Sequence, residues 1–177
     1  IEPEVQRGRA VPYRQVLAES LERVAHREGL DLADEERQAL GDSLPTWPPF
    51  DEVPSSLAEL RSLGWRIGIL SNTDPEFLDA SLEAIGVPVD LRITAAEAGS
   101  YKPAHGHWER FFEQTGAERE RHAHVAASLF HDIAPANELG LRAVWINRLR
   151  ETSDLPRDAE LADLSKLPET LDDLVIV

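Results

Sequence analysis

The stretch that decides the fold is WRIGILSN, residues 65–72, in which an apolar run ends at Ser71 and Asn72. A short apolar run followed by polar, turn-forming residues is typical of a buried strand that leads into a loop. A helix start follows at once, because Asp74 is a capping residue and Pro75 and Glu76 suit the first helical turn. The sequence therefore places a hydroxyl and an amide between a predicted strand and a predicted helix.

Helix and strand patterns alternate from residue 52 onward. Strands are predicted at 65–70, 89–94, 123–127 and 143–146, and intervening helices at 74–86, 108–114 and 132–139. This alternation predicts an α/β fold with a doubly wound parallel sheet and right-handed crossovers. Ligands of such sheets bind beyond the carboxyl ends of the strands. Residues 149–167 are predicted to be irregular, with a closing helix or short strand around Leu171 and Ile176.

The first 48 residues differ from the rest because they contain no convincing strand. A helical stripe includes Val16, Leu17 and Ala25, and Asp34 is a candidate cap for a second helix. Three prolines within residues 45–49 predict a connector. We therefore expect a helical region at 1–48 and an α/β core at 49–177.

Composition excludes several classes of partner. The chain has 18 basic and 33 acidic residues, for a formal charge of −15, whereas nucleic acid and anionic lipid are bound by basic surfaces. Its apolar stretches are far shorter than the roughly 20 residues of a membrane helix. The absence of cysteine fits a reducing cytoplasm. We expect a cytoplasmic protein with no nucleic-acid or membrane partner; a homodimer is left open.

Four residues, at three points of the chain, carry the candidate chemistry. Ser71 and Asn72, with the N–H groups of the turn, can bind an anionic oxygen or a halide, although such residues also bond their own backbone in turns. Lys102, in the triplet Tyr-Lys-Pro, supplies a positive point charge, although an isolated lysine is usually solvated. Asp132, at a predicted helix start, can hold Lys102 or order a water, and it can equally be a helix cap.

In this order, Ser71, Lys102 and Asp132 resemble motifs two to four of the haloacid dehalogenase superfamily of hydrolases. The resemblance covers about residues 52–148, and residues 1–48 resemble the helical cap that such enzymes insert after their first strand. The first motif, an aspartate nucleophile in an Asp-x-x-Gly-Thr context, has no counterpart in this sequence. The resemblance implies that the nucleophile and its central strand lie upstream of Ile1. Without that strand, two neighbouring strands would have unpaired edges.

The superfamily contains metal-dependent and metal-free branches. The metal-dependent branches carry Gly-Asp-x-x-x-x-Asp, but here the first two positions are Ala126 and Ala127, so only Asp132 remains. Because Mg²⁺ needs several hard oxygen ligands, this loss argues against a magnesium phosphatase. The chain is more similar to the metal-free 2-haloacid dehalogenases, so we expect no cofactor. Those enzymes commonly place a serine and an asparagine where this chain has Ala127 and Leu129.

The resemblance implies hydrolysis of a carbon–halide bond through an aspartyl ester, with a small anionic substrate. Lys102 would neutralise the nucleophile, and Asp132 would order the hydrolytic water with His131 or Ser128. The implied catalytic residues are Lys102, Asp132 and His131; the implied substrate-binding residues are Ser71, Asn72, Ser128 and Trp108.

Several interpretations stay open. Trp108 can line an apolar pocket or simply pack in the core, and His131 can be an ordinary residue at a helix start. His105 and His107 invite a metal site but lack an evident third ligand, and His122 and His124 are expected to be structural. Alternative functions are a magnesium-dependent small-molecule phosphatase of the same superfamily and a catalytically inactive binding module. A receiver-type signalling domain ranks last because no acidic pocket is evident.

Overall fold

Parallel strands and helices alternate in the computed structural model of the protein, which describes residues 11–174. The α-helices are α1 Tyr13–Glu28, α2 Ala39–Ser43, α3 Val53–Ser62, α4 Pro75–Ile85, α5 Ala95–Ala98, α6 Gly106–Thr115, α7 Ala134–Glu138 and α8 Leu167–Leu174. The strands are β1 Gly68–Ser71, β2 Leu91–Thr94, β3 Ala123–Ala126, β4 Arg142–Ile146 and β5 Ala159–Leu161. A π-helical turn, Leu129–Ile133, precedes α7.

The strands form two parallel sheets, which confirms the predicted α/β class. β1 pairs with β2, with Gly68 opposite Leu91 and Ser71 opposite Thr94. The second sheet has the order β3-β4-β5. Within residues 11–174, no strand pairing joins β1 to β3, so each of these strands is paired along one edge only. The expected pair of unpaired edges is therefore present, and its assignment to an upstream strand stays a prediction.

Strand β4 has apolar residues packed against both of its faces. Val144 and Ile146 belong to one core cluster, which includes helices α3 and α8, whereas Ala143 and Trp145 belong to a second cluster with Trp108 of α6. Because successive strand residues point to opposite faces, this division means that helices cover both sides of the sheet. The arrangement explains why this strand is almost continuously apolar.

The helical region is joined to α4 by a long-range helix cap, in which a residue at the start of α4 caps α1. The Asp74 carboxylate accepts hydrogen bonds from the backbone N–H groups of Tyr13 at 2.8 Å and Arg14 at 2.9 Å. Asp74 occupies the predicted N-cap position of α4, but its side chain makes no capping hydrogen bond to that helix. Asp74 instead satisfies two of the free N–H groups at the start of α1. The predicted stripe of α1 is confirmed, since Val16, Leu17 and Ala25 are buried.

Three other expectations need correction. Asp34 caps no α-helix; it begins a 3₁₀ turn that follows Ala33, whose N–H donates to the Glu36 carboxylate at 2.9 Å. The segment 149–167, predicted to be irregular, contains the strand β5. This strand has only three residues and is defined by its pairing with β4. The helix expected at 132–139 is preceded by the π-helical turn. The closing helix is α8, and Ile176 lies outside the described residues.

None of the helices in residues 11–174 is long and apolar enough to cross a membrane.

Candidate active site

Lys102 and Asp132 form a buried ion pair between the two sheets. Lys102 Nζ donates to Asp132 Oδ1 at 2.7 Å and to the carbonyl oxygen of Leu70 at 2.8 Å. Leu70 belongs to β1, and Asp132 lies in the turn that follows β3. Only 9% of Lys102 and 6% of Asp132 are exposed. The lysine therefore connects the carboxyl ends of two strands that do not pair with each other.

The Asn72 side chain holds the backbone of Lys102. Asn72 Oδ1 accepts from Lys102 N at 2.7 Å, and Asn72 Nδ2 donates to Lys102 O at 3.1 Å. Both polar ends of the amide thus fix the loop that carries the lysine. Asn72 is shown here as a support for Lys102, and its contact with substrate stays a prediction.

Ser71 lies beside this pair at the end of β1. Its Oγ accepts from the Thr73 N–H at 3.2 Å and lies 2.9 Å from Thr73 Oγ1, so the hydroxyl bonds within its own turn. The Ser71 carbonyl oxygen lies 2.9 Å from His107 Nε2. Because a carbonyl only accepts, the ring proton of His107 is on Nε2. A buried histidine therefore holds the backbone of the predicted anion-binding turn, a contact that the sequence did not reveal.

Ser128 and His131 bond to each other in the turn after β3. Ser128 Oγ accepts from the His131 N–H at 3.1 Å and lies 3.0 Å from His131 Nδ1. The serine thereby caps the π-helical turn that carries Asp132. This contact places both residues near Asp132 in the chain, and their roles with water or substrate stay predictions.

A further pair of residues reaches Asp132 from the core. His124 Nε2 lies 3.0 Å from Asp132 Oδ1, and Trp108 Nε1 donates to His124 Nδ1 at 3.3 Å. Trp108 is completely buried in the core cluster and does not border the cavity described below. This placement fits the core-packing alternative for Trp108, and its role in substrate binding stays a prediction. His124, expected to be only structural, contacts the candidate catalytic acid.

Burial and hydrogen bonding oppose each other at Asp132. Burial acts to raise the pKa of its carboxyl group. The hydrogen bond from His124 and the charge of Lys102 lower the pKa, and together they outweigh the effect of burial. The net pKa is below the usual value, so Asp132 is ionised at neutral pH. Burial lowers the pKa of His107 to about 4 and that of His122 to about 4, so both rings are neutral.

A cavity of about 740 Å³ separates β1 from β3. We call it the inter-sheet cavity. It is bordered by the facing edges of the two strands, at residues 67–70 and 123–126, and by Lys102, His124 and Asp132. The ion pair therefore lies at the border of a space that is lined by unpaired strand edges. Apolar side chains such as Leu57, Ile67 and Leu171 make up much of the remaining wall.

The two histidines of the His-Gly-His sequence have separate partners. His105 Nε2 lies 3.0 Å from Glu138 Oε2, whereas His107 Nε2 lies 2.9 Å from the Ser71 carbonyl oxygen. In the part of the chain that the structure describes, no group of three or more His, Cys, Asp or Glu side chains is arranged to hold a metal ion.

Comparison with known proteins identifies the family. The family model for haloacid dehalogenase-like hydrolases matches residues 4–140. The chain belongs to the haloacid dehalogenase-like hydrolases. An (S)-2-haloacid dehalogenase of Pseudomonas sp. (strain YL) is 31% identical over 143 residues, which are 80% of this chain and 61% of the relative.

This haloacid dehalogenase-like hydrolase is also similar to a phosphatase and to a dehalogenase of known structure. A glyceraldehyde 3-phosphate phosphatase of Methanothermobacter thermautotrophicus is 28% identical over 134 residues, covering 70% of this chain and 58% of the relative. The structure of L-2-haloacid dehalogenase from Xanthobacter autotrophicus superposes with a TM-score of 0.82 at 19% identity, covering 98% of this chain and 83% of that one. This likeness confirms the fold. The chain spans about three fifths of the length of the first curated relatives.

Proposed function

We propose that this haloacid dehalogenase-like hydrolase acts on short 2-haloacids. A carboxylate oxygen of an aspartate attacks the carbon that bears the halogen, the carbon–halogen bond breaks and the halide leaves with the electron pair. Water then attacks the carbonyl carbon of the aspartyl ester, which releases the 2-hydroxyacid and a proton and restores the carboxylate. The nucleophile in this scheme comes from the family resemblance, and the inter-sheet cavity provides room for the strand that would carry it.

The observation that carries the proposal is the Lys102–Asp132 pair at the border of the inter-sheet cavity. Two of the three ammonium protons of Lys102 are donated to Asp132 and to the Leu70 carbonyl, which leaves one for an anionic group. In a chain with a formal charge of −15, such a buried cation is a local focus of positive charge. It can hold an aspartate nucleophile in its ionised form and stabilise charge during attack.

The remaining assignments of the proposal follow the resemblance. Ser71 and Asn72 would bind the substrate carboxylate or the leaving halide, and His131 or Ser128 would assist Asp132 in ordering the water. Residues 1–48 would act as a helical cap, and the substrate would be a small anion. A cytoplasmic location belongs to the same proposal and rests on the cysteine-free sequence, which suits a reducing compartment.

A magnesium-dependent phosphatase of small molecules is the second candidate. The similarity to a glyceraldehyde 3-phosphate phosphatase favours it. Against it stands the replacement of the first acid of motif four by Ala127, which leaves Asp132 as the remaining carboxylate there.

The test uses the complete reading frame that encodes this chain. Halide release from (S)-2-chloropropionate is measured beside phosphate release from p-nitrophenyl phosphate, each with added Mg²⁺ and with EDTA. We expect halide release that EDTA does not reduce and that Lys102→Met lowers about 10²-fold or more. Phosphate release that strictly requires Mg²⁺, without halide release, would establish the phosphatase. Neither activity would identify an inactive binding module.

A further inference from the structure

We propose that His124 is a positioning residue for Asp132: it holds one carboxylate oxygen and leaves the other free to accept from the hydrolytic water or a ligand. The catalytic consequence rests on the proposed function, but the arrangement itself does not. Trp108, His124, Asp132 and Lys102 form one continuous chain of hydrogen bonds. All four residues are buried, with exposed fractions of 0%, 7%, 6% and 9%.

The first step of the argument is the position of the His124 ring proton. The indole Nε1–H of Trp108 can only donate, so His124 Nδ1 at 3.3 Å must accept. A ring whose Nδ1 accepts carries its proton on Nε2, which lies 3.0 Å from Asp132 Oδ1. Trp108 and the carboxylate of Asp132 therefore favour the same tautomer, the one that donates to the carboxylate. The ring centroids of Trp108 and His124 are 5.1 Å apart, so the indole also packs against the imidazole.

The second step concerns the two oxygens of Asp132. Oδ1 receives both the His124 Nε2–H at 3.0 Å and the Lys102 ammonium at 2.7 Å. Oδ2 makes no hydrogen bond within residues 11–174, and Asp132 borders the inter-sheet cavity. Rotation of the carboxylate would break two charge-assisted hydrogen bonds at once. The two donors thus engage Oδ1 and leave Oδ2 as the oxygen that can accept a hydrogen bond from the hydrolytic water.

The third step is the contrast with His107, which is buried, and His122, which is partly buried. Among residues 11–174, His107 Nδ1 and His122 Nε2 find no hydrogen-bond partner. His124 instead has both ring nitrogens paired. A histidine that only filled space in the core would need no such alignment, since an apolar side chain could do the same. The paired ring therefore indicates a role directed at Asp132.

The tautomer is tested by long-range ¹H–¹⁵N NMR of the full chain labelled at histidine. We expect His124 to carry a proton on Nε2 and none on Nδ1. Trp108→Phe should shift this preference towards the Nδ1-protonated tautomer, because it removes the indole donor and leaves Asp132 alone to favour a protonated Nε2. A wild-type His124 that is protonated on Nδ1 would overturn the proposal, and an unchanged tautomer in Trp108→Phe would overturn the part assigned to Trp108.

A variant series tests the effect on Asp132. Carboxyl ¹³C NMR should show that His124→Leu raises the pKa of Asp132, whereas His124→Gln, which keeps a donor, restores it in large part. His122→Phe is the matched control: this ring stacks on His124, with centroids 6.4 Å apart, and within residues 11–174 it makes no hydrogen bond to Asp132. The proposal fails if His124→Leu folds and leaves the Asp132 pKa unchanged, or if His124→Gln behaves like His124→Leu.

These measurements need no turnover, so they stand even if the complete reading frame releases no halide. If it does release halide, His124→Leu should lower kcat about tenfold, with a smaller change in KM and recovery in His124→Gln. A loss confined to KM would contradict positioning of the hydrolytic water. If His124→Leu does not fold, the wild-type tautomer, Trp108→Phe and His124→Gln still decide the question.

Discussion

The amide of Asn72 and the backbone of Lys102 form a reciprocal pair of hydrogen bonds, 2.7 Å and 3.1 Å long, across 30 positions of the chain. The pair joins the turn after β1 to the loop that carries the lysine. The Lys102 side chain also donates to the Leu70 carbonyl. The loop is therefore held to the end of β1 by both the backbone and the side chain of Lys102. The position of the ammonium group therefore depends on a residue that need not touch a ligand.

Asn72→Ala should lower the free energy of unfolding by about 1–3 kcal/mol, because it leaves the N–H and the carbonyl of Lys102 without partners. Urea unfolding measures the change, and amide hydrogen exchange at Lys102 locates it. Asn72→Asp is the matched control, since it retains the acceptor and loses the donor. Its free energy of unfolding should lie between those of the wild type and Asn72→Ala. An Asn72→Ala variant with wild-type stability and exchange would contradict this role.

Removal of the Lys102 charge should be costly because Asp132 is buried. Lys102→Met is expected to destabilise the fold at pH 7 by about 3 kcal/mol and to raise the pKa of Asp132, as the carboxylate would lose its cation. Asp132→Asn in the same background removes the unpaired charge and should recover part of the loss. A double-mutant cycle in urea isolates the coupling. Additive effects of the two substitutions would show that the ion pair contributes nothing.

The buried histidines should make stability depend on pH. The pKa of His107 is about 4 in the folded protein and about 6.5 when unfolded. Because the folded-state pKa is depressed, the unfolded chain binds a proton that the folded chain does not. The contribution of His107 to the free energy of unfolding is therefore fully present above pH 6.5 and is lost as the pH falls towards 4. The loss is on the order of 3 kcal/mol.

His107→Gln keeps a donor for the Ser71 carbonyl but does not titrate, so it should flatten the stability profile between pH 6.5 and 4. His122→Phe should remove its own share, since the pKa of His122 is also about 4, and the double variant should be flatter than either. Below this window, the depressed pKa of Asp132 predicts a further decline as its carboxylate is protonated. Equal slopes in all variants would refute the assignment.

Asp74 should anchor α1 more strongly than any surface ion pair of that helix. Asp74→Ala removes the acceptor for the Tyr13 and Arg14 N–H groups and should cost about 1–2 kcal/mol. Asp42→Ala is the control: it deletes an exposed ion pair to Arg14, 2.6 Å long, and should change stability by about 0.5 kcal/mol or less. Urea unfolding and hydrogen exchange in α1 distinguish the two. Equal effects would mean that the cap is unimportant.

The order of strands and helices was predictable because each depends on local signals. The apolar stretch before Ser71 and the apolar run 143–146 identify strands by composition alone, and glycines such as Gly86 mark helix ends. β5 was missed because a strand of three residues has no periodicity, and only its pairing with β4 defines it.

Of the candidate site, the sequence determined which residue types stand at the ends of which strands: Ser71 at the end of β1, and Asp132 after β3 with Lys102 between them in the chain. Tertiary structure alone decided which of these side chains meet. The contact of His124 with Asp132, the hold of His107 on Ser71 and the cap of Asp74 on α1 join residues 8, 36 and up to 61 positions apart. Hydrogen bonds of this kind depend on how the elements pack together, and a linear pattern carries no record of that packing.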